Sequence, residues 1–271
     1  MTQPANRAVY VNHAKSKEEI LRFTNLLWAL VIREFKGRYR RSWIGPAWSI
    51  LQPLLLMIVF VFIRAILNIP SDGMPYVIFS YSALVPWTFF SNAATRSSGS
   101  VYANAAIVKK IRVRREVFPT SVVVTSLVDF LISSTLLVGM MFYYKVPVTT
   151  SLFYVPLLLV LIVIFALGVG LGVASVGSFK QDVTFAIPVL MQFWLLATPI
   201  MYPLSRVPES WRYIYSLNPM VGIIEGFRGV IVRGVAPDME LLTVSLAGIA
   251  LVWVIGLPLF RYVSQYFADV M

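Results

Sequence analysis

Long apolar runs without charge, separated by short charged segments, make up most of the chain. Residues 42–63, 73–95, 146–179, 183–205 and 241–260 contain no Asp, Glu, Lys or Arg, and the apolar run 117–144 is broken only by Asp129. A helix needs about 20 apolar residues to cross a bilayer, so six spans are expected. The run from Val146 exceeds one span, but Pro147, Thr149, Thr150 and Ser151 mark a turn that delays its helix to about Leu152. Residues 1–20 are polar and lack the apolar core of a cleavable signal peptide.

Three further segments are patterned without being spans. In residues 17–41, Arg22, Asn25, Ala29, Arg33, Lys36 and Arg40 recur at three- and four-residue steps, as do Leu21, Thr24, Leu27, Val31, Phe35 and Tyr39. This predicts an amphipathic helix with a cationic face, suited either to the headgroup plane or to packing on a neighbour. Gly45 and Pro46 mark the turn into the first span. Residues 104–111 read as a short helix followed by Arg112, Arg114, Arg115 and Glu116, with Pro119 in the first turn of the third span. Such a helix fits a groove in a soluble partner, although a plain basic loop would carry the same charges. The third segment runs from Met201 to Asp238, where 213–224 and 227–232 are apolar but too short to cross. Asn218 and Pro219 break it into two half-helices, a pattern expected of a re-entrant outer gate.

Composition agrees with this pattern. Hydrophobic residues make up 58% and charged residues 13%, against about 45–50% and about 25% in soluble domains. Disorder and a soluble core are both excluded. The net charge of +11 would suggest nucleic acid in a soluble chain, but here its position decides. With both termini inside, residues 1–41 supply nine Lys and Arg, residues 96–116 six, and Lys180 and Arg261 one each, for 17. The outer segments supply five: Lys145, Arg206, Arg212, Arg228 and Arg233. Basic residues favour the cytoplasmic side, so both termini are expected there and nucleic acid is not an expected partner.

The chain carries little catalytic chemistry. It has no cysteine, one histidine (His13), no Gly-x-x-x-x-Gly-Lys-[Ser/Thr] phosphate loop and no carboxylate cluster able to hold a divalent metal. Its spans contain two ionisable groups, Arg64 and Asp129, whereas ion-coupled carriers show relay chains of such groups. Asp129 calls for a partner, either Arg96 or a hydroxyl such as Ser133 or Ser134. Aromatic residues are abundant: Tyr76, Phe79, Tyr81, Trp87, Phe89 and Phe90 in the second span, and Phe185, Phe193, Trp194 and Tyr202 in the fifth. Aromatic faces stack on the apolar faces of sugar rings, and they equally suit lipid or neighbouring helices. Gly168 and Gly172 form a small-residue pair that lets helices approach closely.

The stretch from Arg38 to Trp48 with Leu51, Gln52 and Pro53 resembles the lead-in to the first span of a known family. That family is the membrane-spanning subunit of type-2 ABC exporters of polysaccharides such as O-antigen, capsule or teichoic acid. Residues 104–110 with Arg115, Glu116 and Pro119 are similar to its cytoplasmic coupling helix. Gln181 with Asp182, residues 198–202, and Tyr215 to Pro219 with Glu225 and Arg228 continue the likeness, which covers about residues 22–267. Where many members have an aromatic residue and a proline before Arg-Glu, this chain has Arg112 and Arg114, so its coupling loop is more basic.

The resemblance implies an all-α integral membrane permease. A cytoplasmic N-terminus and interfacial helix (1–41) would lead into a six-span domain (42–267) and a short tail (268–271). A coupling loop at about 98–116 would meet a separate ATPase dimer through Asn104, Ile107, Lys109, Lys110, Arg112, Arg115 and Glu116. That partner would bind ATP and magnesium, and this chain would carry neither cofactor, metal nor catalytic residue. Two copies would enclose a twelve-span channel in the bacterial inner membrane. A lipid-linked glycan would pass Tyr81, Trp87, Phe89, Phe90, Phe193, Trp194 and Tyr202. An outer gate at about 203–236 would use Tyr215, Asn218, Pro219, Glu225 and Arg228. Export of a drug, lipid or other small amphiphile, and a membrane-bound glycan- or lipid-modifying enzyme, are the alternatives.

Overall fold

The computed structural model describes residues 4–110 and 113–267, and among these every regular element is helical. Helix α1 (Pro4–Tyr39) leads through a 3-10 turn (Gly45–Ala47) into α2 (Trp48–Leu67). Gly45 takes a left-handed φ of 59° immediately before Pro46, which makes the expected turn. Then come α3 (Tyr76–Ser100), α4 (Ala105–Lys110), α5 (Val117–Tyr143) and α6 (Val155–Gly177). Next are α7 (Gln181–Leu196), α8 (Glu209–Ser216), α9 (Pro219–Arg228) with a π turn at Gly229–Arg233, and α10 (Met239–Ser264).

Four segments are long and apolar enough to cross a membrane: Gly45–Leu67, Val117–Tyr143, Thr150–Gly177 and Met239–Ser264. They coincide with the first, third, fourth and sixth expected spans, and the chain is an integral membrane protein. Helices α3 and α7 take the places of the other two, and each differs for a physical reason. Helix α3 is enclosed, touching α2, α5, α6, α7 and α9. Ile78, Phe79, Tyr81, Leu84 and Phe90 keep no exposed surface. An enclosed helix meets protein rather than lipid and tolerates serines. Ser80 and Ser82 donate to the Tyr76 and Phe79 carbonyls of their own helix at 2.8 and 3.0 Å, whereas the buried Ser97 hydroxyl finds no partner among the described residues. Helix α7 has 16 residues and spans about 24 Å at about 1.5 Å per residue. It stops at Leu196 because Thr198 and Pro199 turn the chain, with the Ile200 amide donating to the Thr198 carbonyl at 2.7 Å.

Of the expected small-residue pair on α6, Gly168 closes a contact within the chain, whereas a Cβ on Gly172 would meet open space. A Cβ on Gly168 would lie 3.0 Å from both Trp253 and Val252 of α10, and the Trp253 indole donates to the Ile164 carbonyl at 2.9 Å. At the end of the molecule where α3 finishes, Leu30, Val101, Val108, Val117, Phe118, Leu171 and Phe260 form a second core. This core binds α1 and α4 to α5, α6 and α10.

Helix α1 has the expected polar face, with Arg22, Asn25, Ala29, Arg33, Lys36 and Arg40 all exposed. Its packed face runs through Leu27, Leu30, Val31, Phe35 and Tyr39. Leu21 departs from the expected apolar stripe: it is exposed with Trp28 and Ile32. These three residues form a separate apolar strip, because α1 packs on α5 through a narrower face centred nearer Leu30 and Val31.

Candidate functional site

Asp129 lies in the middle of α5, where a lone charge would be costly, and three other elements bring it donors. Arg38 and Tyr39 come from the last turn of α1, Ser49 from the first turn of α2 and Arg96 from the end of α3. Arg38 pairs with Oδ2, and Arg96 reaches the same oxygen at 3.5 Å. Oδ1 accepts from the Tyr39 hydroxyl at 2.8 Å and the Ser49 hydroxyl at 3.0 Å. A carboxylate offers about four lone-pair sites, so these donors fill them and Asp129 acts as an anchor for α1. The expected partner Arg96 is present. Ser133 instead serves the Ser49 and Asp129 carbonyls at 2.5 and 2.9 Å, and Ser134 the Phe130 carbonyl at 2.8 Å. Arg38, Tyr39 and Ser49 were not anticipated. The available signal was two charges, Glu34 and Arg38, falling on the apolar side of the α1 pattern.

This cluster opens onto a cavity of about 270 Å³ lined by Trp48, Gln52, Phe89, Asn92 and Arg96. The Asn92 amide donates to Gln52 at 3.1 Å across its mouth. Glu34 pairs with Arg38 at 3.2 Å. Burial raises its carboxyl above the ordinary 4.5, against the opposing pull of Arg38 and Arg96.

The expected coupling segment lies at the same end. Asn104 closes a 3-10 turn ahead of α4, which carries Ile107, Lys109 and Lys110; Arg112 lies outside the described residues. Val108 is buried in the second core while Lys109 and Lys110 are exposed, so α4 is anchored by one face and presents cations on the other. Two contacts tie the segment to α1: Arg33 donates to Asn104, and Arg114 pairs with Glu19 at 2.8 Å. Arg115 lies over the Phe267 ring at 5.8 Å, and Glu116 meets Arg261 at 3.9 Å.

The aromatic residues form a cluster. Phe90 stacks on Phe165 with centroids 4.8 Å apart, and Trp194 meets Phe90 edge-on at 5.2 Å and Trp87 at 6.4 Å. Tyr81, Trp87, Phe89 and Phe90 are buried, and the Tyr81 hydroxyl donates to the Ser133 carbonyl at 3.2 Å. Phe193 is 66% exposed. Trp194 and Tyr202 are half-buried at the end that carries α9.

At that end Asn218 caps α9, accepting from the Met220 amide at 3.1 Å. Its side chain also accepts from the Trp194 indole at 3.0 Å and donates to the Thr198 hydroxyl at 3.0 Å, joining α9 to the turn after α7. Pro219 is the first residue of α9, so the chain breaks where the sequence indicated. The two halves are unequal: α8 is exposed at Trp211, Tyr213 and Ile214, whereas α9 is buried from Met220 to Ile224. Tyr215 of α8 hydrogen-bonds Tyr202. At the end of α9, Arg228 is fully buried. It pairs with Glu225, donates to the Pro199 and Ile200 carbonyls at 3.0 Å each, and lies 3.8 Å above the Phe79 ring. Arg233 holds the other oxygen of Glu225.

Helix α3 is thus enclosed between two ion clusters, and the segment around α4 is pinned to α1. Residues 25–232 match the model of the ABC-2 type transporter family, and the chain belongs to that family. It is 30% identical over 241 residues to the O-antigen export system permease protein RfbA of Myxococcus xanthus, covering 87% of this chain and 91% of the relative. To the protein of the same name in Klebsiella pneumoniae it is 29% identical over 249 residues, 91% and 95% of the two chains. To the polysialic acid transport protein KpsM of Escherichia coli it is 25% identical over 243 residues, 86% and 91%.

Proposed function

We propose that this chain is the channel-forming permease of an ATP-driven exporter that moves a lipid-linked polysaccharide across the bacterial inner membrane. Similarity to O-antigen export permeases along almost the full length of both chains carries this reading. Helices α3 and α7 complete six spans with the four apolar ones, both termini face the cytoplasm, and two copies enclose the path. ATP and magnesium are bound by a separate ATPase that docks on α4, where Lys109 and Lys110 are exposed and Val108 is anchored. The Arg33 and Arg114 contacts pass the movement of α4 to α1. Helices α8 and α9 form the re-entrant outer gate. Contact with the moving glycan falls to the exposed Phe193 and half-buried Trp194 and Tyr202, since Tyr81 and Phe90 have no free surface.

Deletion of the gene in its host tests the reading. Surface polysaccharide should vanish, and lipid-linked glycan should accumulate on the inner face until the wild-type gene is restored. An unchanged cell surface with new sensitivity to a drug would instead identify a small-amphiphile exporter. Lys109→Glu with Lys110→Glu should abolish co-purification of the ATPase while the permease stays folded; unaltered binding would remove α4 from the docking surface.

A further inference from the structure

Helices α5 and α6 border a groove at their α9 ends. After Tyr143 the chain turns through Lys145, and the Ser151 hydroxyl donates to the Gly234 carbonyl at 2.6 Å, tying the start of α6 to the π turn after α9. The groove encloses about 500 Å³ and is floored by Pro86, Phe227 and Ile231, with Leu137, Met141 and Leu159 on its walls. Its polar lining is limited to Ser82, Ser134 and Lys145. Both serines are turned back, donating to the Phe79 and Phe130 carbonyls at 3.0 and 2.8 Å, so the groove presents hydrocarbon along its length. Leu131, Val138 and Phe142 along its edge are exposed, and the helices on either side are long and apolar enough to cross a membrane. The groove therefore opens sideways into the bilayer.

Lys145 stands at the mouth. Its φ of 52° is left-handed, and the Val146 amide closes the end of α5 on the Met141 carbonyl at 2.9 Å. Glycine is the usual residue at such a helix end, and the chain keeps a cation there at a backbone cost that glycine would avoid. None of the ion pairs among the described residues includes Lys145. Tyr143 and Tyr144 immediately precede it, and aromatic side chains are enriched at headgroup level.

We propose that this groove holds an acyl chain of an anionic phospholipid, whose phosphate rests on the Lys145 ammonium. An apolar slot with one cation at the interface matches a lipid's hydrocarbon and charge together. A second copy of the chain seated here would desolvate Lys145, and the lining supplies no carboxylate to pair with it. The inference rests on membrane embedding and is independent of what the protein transports.

The test uses the full chain purified in detergent. It is titrated with phosphatidylglycerol or phosphatidylcholine of identical acyl chains, and bound lipid is read by native mass spectrometry. Phosphatidylglycerol should be retained in preference. Lys145→Gln should weaken that retention about fivefold and leave phosphatidylcholine unchanged, the effect of one basic residue at an anionic surface. Val138→Trp, at an exposed edge position, should displace both lipids while the thermal transition persists. Retention indifferent to both substitutions would overturn the proposal. So would displacement of phosphatidylglycerol by an equal concentration of a polyprenyl phosphate. The chain has no native cysteine, and a Val138→Cys disulfide between two copies would assign the groove to a dimer interface instead.

Discussion

Ion clusters stand at both ends of α3, and they solve the problem of a buried charge in opposite ways. At the α9 end a cation is the buried member: Arg228 has no exposed surface, and its charge is met by one carboxylate, two backbone carbonyls and an aromatic face. At the α1 end a carboxylate is the hub: Asp129 collects two arginines and two hydroxyls beside an open cavity. Arg228 is sealed and clasps the turn after α7 to α9. The Asp129 cluster borders a cavity and joins four helices, one of which also carries the contacts to the segment around α4. Glu225 and Arg233 line a cavity of their own, so at the α9 end it is the hub, Arg228, that is sealed. At the α1 end the hub itself borders the cavity, and water there lowers the cost of separating its charges.

Removing the central group of each cluster tests that contrast most severely. Arg228→Ala leaves Glu225 with Arg233 alone and orphans two carbonyls, and removing one partner of a largely buried pair costs about 3–5 kcal/mol. A large fall in the thermal midpoint of the detergent-solubilised protein is expected, and Arg228→Lys should not restore it because a single ammonium cannot span both carbonyls and the carboxylate. Asp129→Ala should cost less, about 2–3 kcal/mol, because the cavity lets water reach the released arginines. Equal losses in the two variants would erase the distinction between a sealed and an open hub.

Some of this arrangement was legible in the sequence. The runs at 42–63, 117–144, 146–179 and 241–260 reappear as the four apolar helices because lipid-facing residues must be apolar along the whole length. The break at Asn218 and Pro219 reappears because a proline after a capping asparagine starts a helix wherever it is placed. What the sequence concealed was non-local. Asp129 demanded a partner, but Arg38 lies 91 residues away, and no periodicity links them. Phe90 and Trp87 fitted equally an exposed aromatic path or a packed core. Their burial follows from the enclosure of α3, a property of the assembled bundle and not of the second apolar run. The unequal exposure of α8 and α9 is of the same kind, since both read as apolar half-helices.

A smaller effect separates capping from clasping at the α9 end. Asn218→Ala removes the cap of α9 and the bonds to Trp194 and Thr198, and loss of a helix cap typically costs about 1 kcal/mol. Asn218→Asp keeps the acceptor for Met220 and Trp194 and loses the bond donated to Thr198. Its midpoint should fall between those of the wild type and the alanine variant. If the two substitutions are equally harmful, the bond to the α7 turn matters more than the cap.

The smallest effect is expected at Glu34, and its sign is diagnostic. Burial raises this carboxyl above its ordinary 4.5 despite Arg38 and Arg96, so the folded chain holds the proton more tightly than the unfolded chain does. A group shifted in that direction contributes stability below its unfolded value and loses it as pH rises through the folded value. Glu34→Gln keeps the neutral form at every pH. The variant should match the wild type near pH 4 and equal or slightly exceed it by pH 7, when midpoints are compared across that range. A variant that loses stability as the pH rises would show that Arg38 gains more from Glu34 than burial takes away. The α1 end would then be held by two carboxylates, and Asp129 would lose its place as the single hub.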